Sequence, residues 1–428
     1  MVKRRADFSL QIKKFFPSFR YLGYFKVSCV TNADENMNIL ILTDFFPNET
    51  VPYEANFIGE MVKRLANRHH AALLVPQVLY PPIHRYRILK RRISPHFIEE
   101  HYGIKAIVLR YPHIPVAGEW FMPYIALMPL RQAVQRHFPD TDIIHAHWAY
   151  RSGFWGAWLA RWLKVPLILT VHGSDANLWL QDRKKRRKIR FALRQADGII
   201  VASQYLEQKI RPFAPQARIA TICGGFDPDR FRPSATSSPE ISSRSMARLL
   251  CIANFYPVKG IDRLIRAAHI LHKENRSFHL TIIGDGPEKI KCEKLIKSLG
   301  LREIIRLEGG KPHPQIPAYL AGADFLVIPS LEEGIPIVML EALAMGVPVI
   351  GTPVGKMPEL LASGEYGILA GSSNPEDLAA AIATALQKKF DRAKIAAFAR
   401  QFSWDHVTIK VESFYKNILS DFYVAGKK

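Results

Sequence analysis

The chain has 428 residues, 59 Lys+Arg against 38 Asp+Glu, a formal net charge of +21 and 48% hydrophobic residues. That length exceeds the roughly 250–300 residues at which a single core stops growing, so two or three domains are expected and a lone small module is excluded. With 24 Phe, 15 Tyr and 7 Trp the chain has the apolar surface to fill those cores, which excludes a disordered polymer.

Residues 1–36 hold seven basic and three acidic side chains, mixed with Phe15, Phe16, Phe19, Tyr21, Tyr24 and Phe25. They read as a basic N-terminal extension able to dock at a membrane surface, without the apolar run of a secretory signal. Met37 opens the first strand. From there short apolar runs alternate with amphipathic segments, the pattern of βα units and a parallel sheet. Strands are predicted over 38–42, 71–75, 106–110, 143–145, 167–171, 198–201 and 218–222, and helices over 56–68 and 153–163. Residues 37–235 hold 28 basic and 15 acidic side chains, concentrated in HRYRILKRR (84–92) and RKKRRKIRFALR (183–194). A basic face of this kind attracts anionic lipid headgroups or an anionic acceptor, and no nucleic-acid module motif accompanies it.

Over 232–248 the sequence becomes RPSATSSPEISSRSMAR, a Ser- and Pro-rich stretch without periodicity, which places a linker at 236–247. The alternation then restarts, with strands over 249–253, 280–283, 304–307, 325–328 and 347–350 and a last amphipathic helix over 404–422. The expected organisation is therefore α/β, two doubly wound domains (37–235 and 248–403), with 404–428 as a terminal helix. Cys29, Cys223, Cys251 and Cys292 lie far apart without a CxxC pair and read as buried reduced thiols. The apolar runs end well before the ~18 residues of a spanning helix, and a cytoplasmic protein is expected.

In open α/β sheets ligands sit beyond the carboxyl ends of the strands, so functional residues are sought there. The strongest candidate is EEGIPIVMLEALAMGVPVIGT (332–352). Pro336 suits the first turn of a helix, where its missing N–H is harmless. The N–H groups of Ile337, Val338 and Met339 would then point outward with the positive end of the helix dipole and form a phosphate seat. Glu341, a turn further on, can accept from a ribose diol, and Glu333, on the loop, from hydroxyls of an attached sugar. On their own, two such glutamates are better read as capping or solvating a surface helix. GDGP at 284–287 is a strand-to-helix turn in which Gly284 permits close backbone approach, a weak signal alone. His145 and His147 fall on one face of a strand with no third metal ligand, and read as strand-end packing or cleft lining.

The flanking sequence changes the weighing. CIANFYPVKGIDRLIRAAHIL (251–271), LTIIGDGPE (280–288), YLAGADFLVIPSLEEG (319–334) and VGKMPELLASGEYGILA (354–370) accompany the glutamate pair. DIIHAHWAYRSGFWGAWLA (142–160), LILTVHGSDANLW (167–179) and GGFDPDRFRP (224–233) precede it. In order and spacing the chain over 37–422 resembles the retaining glycosyltransferases of family 4. The resemblance implies a GT-B architecture, two Rossmann-like domains flanking a cleft, with the terminal helix crossing back to the first. It implies a UDP- or GDP-sugar donor held by Lys259, Gly284, Gly334, Ile337, Val338 and Glu341, with Glu333 and His172 at the sugar and Asp175 orienting acceptor or loop. Asn254 stands where many relatives carry an Arg, so neutralisation of the diphosphate falls more heavily on Lys259. No DxD-type motif is placed for a divalent cation, and metal-independent chemistry without a cofactor is expected. The loop TDFFPNETVPYEANFI (43–58) lacks the Gly pair of many relatives. The implied reaction is retaining hexosyl transfer to a glycan or lipid-linked acceptor in polysaccharide or lipopolysaccharide synthesis, at the inner face of the cytoplasmic membrane. A GT-B nucleotide-sugar epimerase and a non-catalytic basic membrane or nucleic-acid binder are the alternatives.

Overall fold

A computed structural model describes residues 36–47, 55–79, 99–100, 102–104, 106–112, 118–233, 246–424 and 426. The basic run at 84–92, the extension at 1–35, most of the linker, Cys29 and residues 48–54 of the first loop lie outside them.

The first sheet contains β1 (Asn38–Leu42), β2 (His70–Leu79), β3 (Ala106–Pro112), β4 (Ile143–His147), β5 (Leu167–Val171), β6 (Gly198–Val201) and β7 (Arg218–Thr221). All its pairings are parallel, in the order β3-β2-β1-β4-β5-β6-β7. Strands such as NILIL and LILTV are apolar on both sides because helices cover both faces. The Arg151–Leu163 helix packs on one face, and Gly153 and Gly156 allow it to lie close. A Cβ on Gly153 would come within 2.9 Å of Leu169 and one on Gly156 within 3.0 Å of Leu167. The other face is covered by the Asn56–Ala66 helix and by the terminal helix Trp404–Val424. Trp404, Val407, Val411, Tyr415 and Ile418 of that last helix recur at three- and four-residue steps and are buried against this first sheet.

The second sheet contains β8 (Ala247–Ile252), β9 (Phe278–Ile283), β10 (Ile305–Gly309), β11 (Phe325–Ile328), β12 (Val349–Gly351) and β13 (Gly367–Leu369). It is also parallel, in the order β10-β9-β8-β11-β12-β13. The predicted strands are present, most displaced by one to four residues at an end. β13 was not predicted, because three residues carry no period. The strand order reverses between β1 and β4 in one sheet and between β8 and β11 in the other, and these are the switch points at which crevices open. Cys223, Cys251 and Cys292 are free and buried. No helix among the described residues is long and apolar enough to cross a membrane.

Candidate active site

The second switch point builds the site. After β8 the chain makes a short turn, Pro257–Lys259, ending on Gly260 at φ 63°. A Cβ there would lie 2.1 Å from the carbonyl oxygen of Pro329, so only glycine lets this turn press against the loop after β11. The contact brings Lys259 Nζ onto Glu333 Oε1 as a close ion pair, and Ser330 Oγ donates to the same oxygen at 3.0 Å.

Beside this pair the helix Ile337–Ala344 begins. Pro336 is its cap residue (φ −71°, ψ 114°) rather than a member of the first turn, one position earlier than the sequence reading placed it. Its carbonyl accepts the Met339 N–H at 3.0 Å, so that amide is not free. Ile337 and Val338 keep the N–H groups that a helix start leaves without an internal acceptor. A cavity of about 210 Å³ is lined by Lys259, Ser330, Glu333, Pro336, Ile337 and Val338.

Glu341 is buried one turn into the helix and meets His313 Nε2 at 2.6 Å. The other ring nitrogen of His313 lies 3.0 Å from Arg230 Nη1. Guanidinium can only donate, so His313 Nδ1 accepts and Nε2–H is the donor to Glu341. His313 has no spacing rule tying it to the glutamate motif, and sequence reasoning missed it, as it missed Ser330.

The facing wall comes from the first sheet. His172 follows β5, and burial pushes its imidazole down to about 3, so the ring is neutral. Asp175 is fully buried. Its two oxygens accept the N–H groups of Ala149 and His172, each at 3.0 Å, so it ties the loops after β4 and β5 together. Burial raises its carboxyl to about 8, against the opposing pull of those N–H donors. The two walls touch at glycines: a Cβ on Gly173 would lie 3.2 Å from the Gly334 nitrogen. A second cavity, of about 320 Å³, runs from Lys259, Glu333 and Gly334 past His172 and His147 to Trp404, Val407 and Val411.

Lys259, Glu333, Gly334, Ile337, Val338 and His172 are thus brought together around these two cavities. Glu341 and Asp175 stand behind the walls. Asn254 is exposed and lines neither cavity, and Gly284 packs against the backbone of Ala253, whose oxygen would be 2.0 Å from a Cβ. In the DPD stretch, in the segment that joins the two sheets, Asp227 accepts from the Asp229 N–H at 3.1 Å and lies 3.7 Å from Arg64 of the Asn56–Ala66 helix.

A family model described as "Glycosyl transferases group 1" matches residues 242–402, and one described as "Glycosyltransferase Family 4" matches residues 55–230. An uncharacterized glycosyltransferase of Methanocaldococcus jannaschii is 30% identical over 65% of this chain and 76% of its own length. The putative teichuronic acid biosynthesis glycosyltransferase TuaC of Bacillus subtilis is 28% identical over 81% of this chain and 88% of its own. Among solved structures, Anabaena HepE in complex with UDP and glucose superposes with a TM-score of 0.68 at 21% identity, over 89% of this chain and 100% of that one. Two facing parallel α/β sheets of this kind are the GT-B fold, and the chain belongs to the family 4, group 1 glycosyltransferases.

Proposed function

We propose that the protein transfers a hexose from a UDP- or GDP-sugar to a hydroxyl of a glycan or lipid-linked acceptor, with retention at the anomeric carbon. The observation that carries this reading is the cavity where the Lys259 ammonium and the start of the Ile337–Ala344 helix converge. A diphosphate is the ligand such a pair of positive ends suits. Its arrival would draw Lys259 away from Glu333 and leave that carboxylate to accept sugar hydroxyls.

In the proposed step the bond from the anomeric carbon to the diphosphate oxygen breaks, and the acceptor oxygen bonds on the same face. The acceptor's proton passes to the departing diphosphate, whose charge Lys259 and the helix amides stabilise. The carboxylates lining the cavities are Glu332 and Glu333; Glu333 is assigned to the sugar hydroxyls and Ser330 Oγ donates to it, so front-face attack is favoured over a covalent intermediate. Ammonium and amides supply the charge that a metal supplies elsewhere, and activity is expected to survive EDTA.

Synthesis of a cell-surface polysaccharide or lipopolysaccharide is the proposed setting; TuaC, named for teichuronic acid, supports the polysaccharide, and the UDP and glucose bound to HepE support a UDP-sugar donor. The setting at the inner membrane face draws on the Arg183–Gln195 helix, where Arg183, Lys184, Arg186 and Arg187 are exposed. The test is incubation with radiolabelled UDP- and GDP-sugars, with and without EDTA. Hydrolysis or transfer from one nucleotide class is expected. Return of an epimerised sugar without transfer would support the epimerase instead, and inertness toward every donor would defeat both enzyme readings.

A further inference from the structure

Part of the lining of the larger cavity is apolar, with Met61, Ile200, Val407 and Val411 facing it. The polar rings in that wall are mostly spoken for. His145 places one ring nitrogen 2.6 Å from Tyr415 Oη and the other 2.6 Å from Thr170 Oγ1. His147 differs. It is 2% exposed, its Nδ1 lies 3.4 Å from His172 Nε2, and its Nε2 has no partner. Among the described residues it holds the one buried, unpartnered side-chain polar atom that belongs to a residue lining this cavity. A buried imidazole nitrogen without a partner is costly, and a ligand group that reaches it removes the cost.

The position of the cavity says which ligand. Lys259, Glu333, Ile335 and Ile337 line both cavities, so a group attached to a diphosphate seated at the helix start leads directly into the larger one. We propose that His147 Nε2 hydrogen-bonds a hydroxyl of the sugar carried by the donor, with His172 setting the tautomer through His147 Nδ1. A hydroxyl both donates and accepts, so it satisfies Nε2 in either tautomer. Burial holds the His147 ring well below the usual histidine range, and it meets the hydroxyl as a neutral imidazole. The inference rests on the donor reading above and adds a sugar contact from the first sheet that no motif assigns.

The test is calorimetry on the full chain with UDP, UDP-glucose, GDP and GDP-mannose as probes, using the wild type, His147→Leu and His147→Gln. The glutamine amide places a polar atom near Nε2 and serves as the rescue. Bare nucleotide affinity is expected to stay within about twofold in both variants, while affinity for the bound nucleotide-sugar falls about tenfold in His147→Leu and largely returns in His147→Gln. Unchanged nucleotide-sugar affinity in His147→Leu overturns the proposal, whether Nε2 then serves an acceptor hydroxyl or only a water. A parallel loss of bare-nucleotide affinity in both variants marks a structural role and also overturns it. Failure of the wild type to bind either nucleotide instead overturns the donor reading itself.

Discussion

Lys259 carries the one ammonium that lines either cavity among the described residues, and no Arg joins it. With Asn254 exposed on its loop, removal of that ammonium leaves the diphosphate only the helix amides. Lys259→Ala is therefore expected to lower kcat by about 10²–10³, measured as donor hydrolysis under saturating donor. Glu341→Ala removes the buried acceptor of the His313 Nε2–H and strands that donor behind the helix-start cavity; under the proposed ribose contact to Glu341, nucleotide affinity should fall about tenfold in calorimetry, and unchanged affinity would place the ribose elsewhere. The sequence made the helix start at Ile337 and Val338 legible because its chemistry is local, a proline at the opening of a helix after an acidic loop, whereas Lys259 and the role of Glu333 were singled out through the resemblance. His313 and the free face of His147 were not legible, since each depends on which residues the fold sets opposite it. Asp175 was read as acceptor- or loop-orienting, and the structure shows the loop contacts: its carboxylate joins two strand-end loops.

The helix starts and switch points position the site; the βα alternation predicted the strands, because each must be apolar, while the order in which they pair came from the structure. Ends were harder to read: β2 runs to Leu79 and β4 to His147, past the predicted 75 and 145, since parallel pairing extends into polar residues such as Gln77. The basic helix Arg183–Gln195 has one face in the core and one in solvent. Ile189, Ala192 and Leu193 bury it in the core, and Asp182 caps it by accepting the Lys184 N–H at 2.8 Å. Lys188 turns inward, its ammonium 5.1 Å from the Tyr124 ring, next to the exposed Phe121 and Tyr124. The exposed Arg183, Lys184, Arg186 and Arg187 are the cations proposed to meet an anionic bilayer surface. Replacing Arg183, Lys184, Arg186 and Arg187 by Gln is expected to weaken binding to phosphatidylglycerol vesicles at least about tenfold, with little effect on donor hydrolysis in solution. Equal binding to phosphatidylcholine vesicles would argue against this surface.

At the scale of the molecule, the two segments that cross between the sheets run side by side. Phe226 N–H donates to Phe402 O at 3.2 Å and Trp404 N–H to Phe226 O at 2.9 Å. Arg64 clasps both, pairing with Asp405 at 2.8 Å and lying 3.7 Å from Asp227, while Glu60 holds it at 2.8 Å. A strong pH dependence follows from the buried histidines. His145 and His172 are pushed down to about 3 and His147 is also lowered, so the unfolded chain takes up protons below about 6.5 that the folded chain refuses. Each such ring contributes stability above that pH and loses it progressively as pH falls below it. Asp175, raised to about 8, acts in the opposite sense, its contribution present at low pH and lost as pH rises toward 8. Three rings outweigh one carboxyl, so urea midpoints should fall steeply from pH 6.5 to 5; a flat profile would mean that these imidazoles are charged or hydrated in the fold. The claim on which the rest depends is that a diphosphate sits at the start of the Ile337–Ala344 helix. A crystal structure with UDP or GDP tests it most directly. The account expects phosphate oxygens within hydrogen-bonding distance of the Ile337 and Val338 N–H groups and of Lys259 Nζ, with the Lys259–Glu333 pair opened. A nucleotide bound elsewhere, with that ion pair intact, would contradict it.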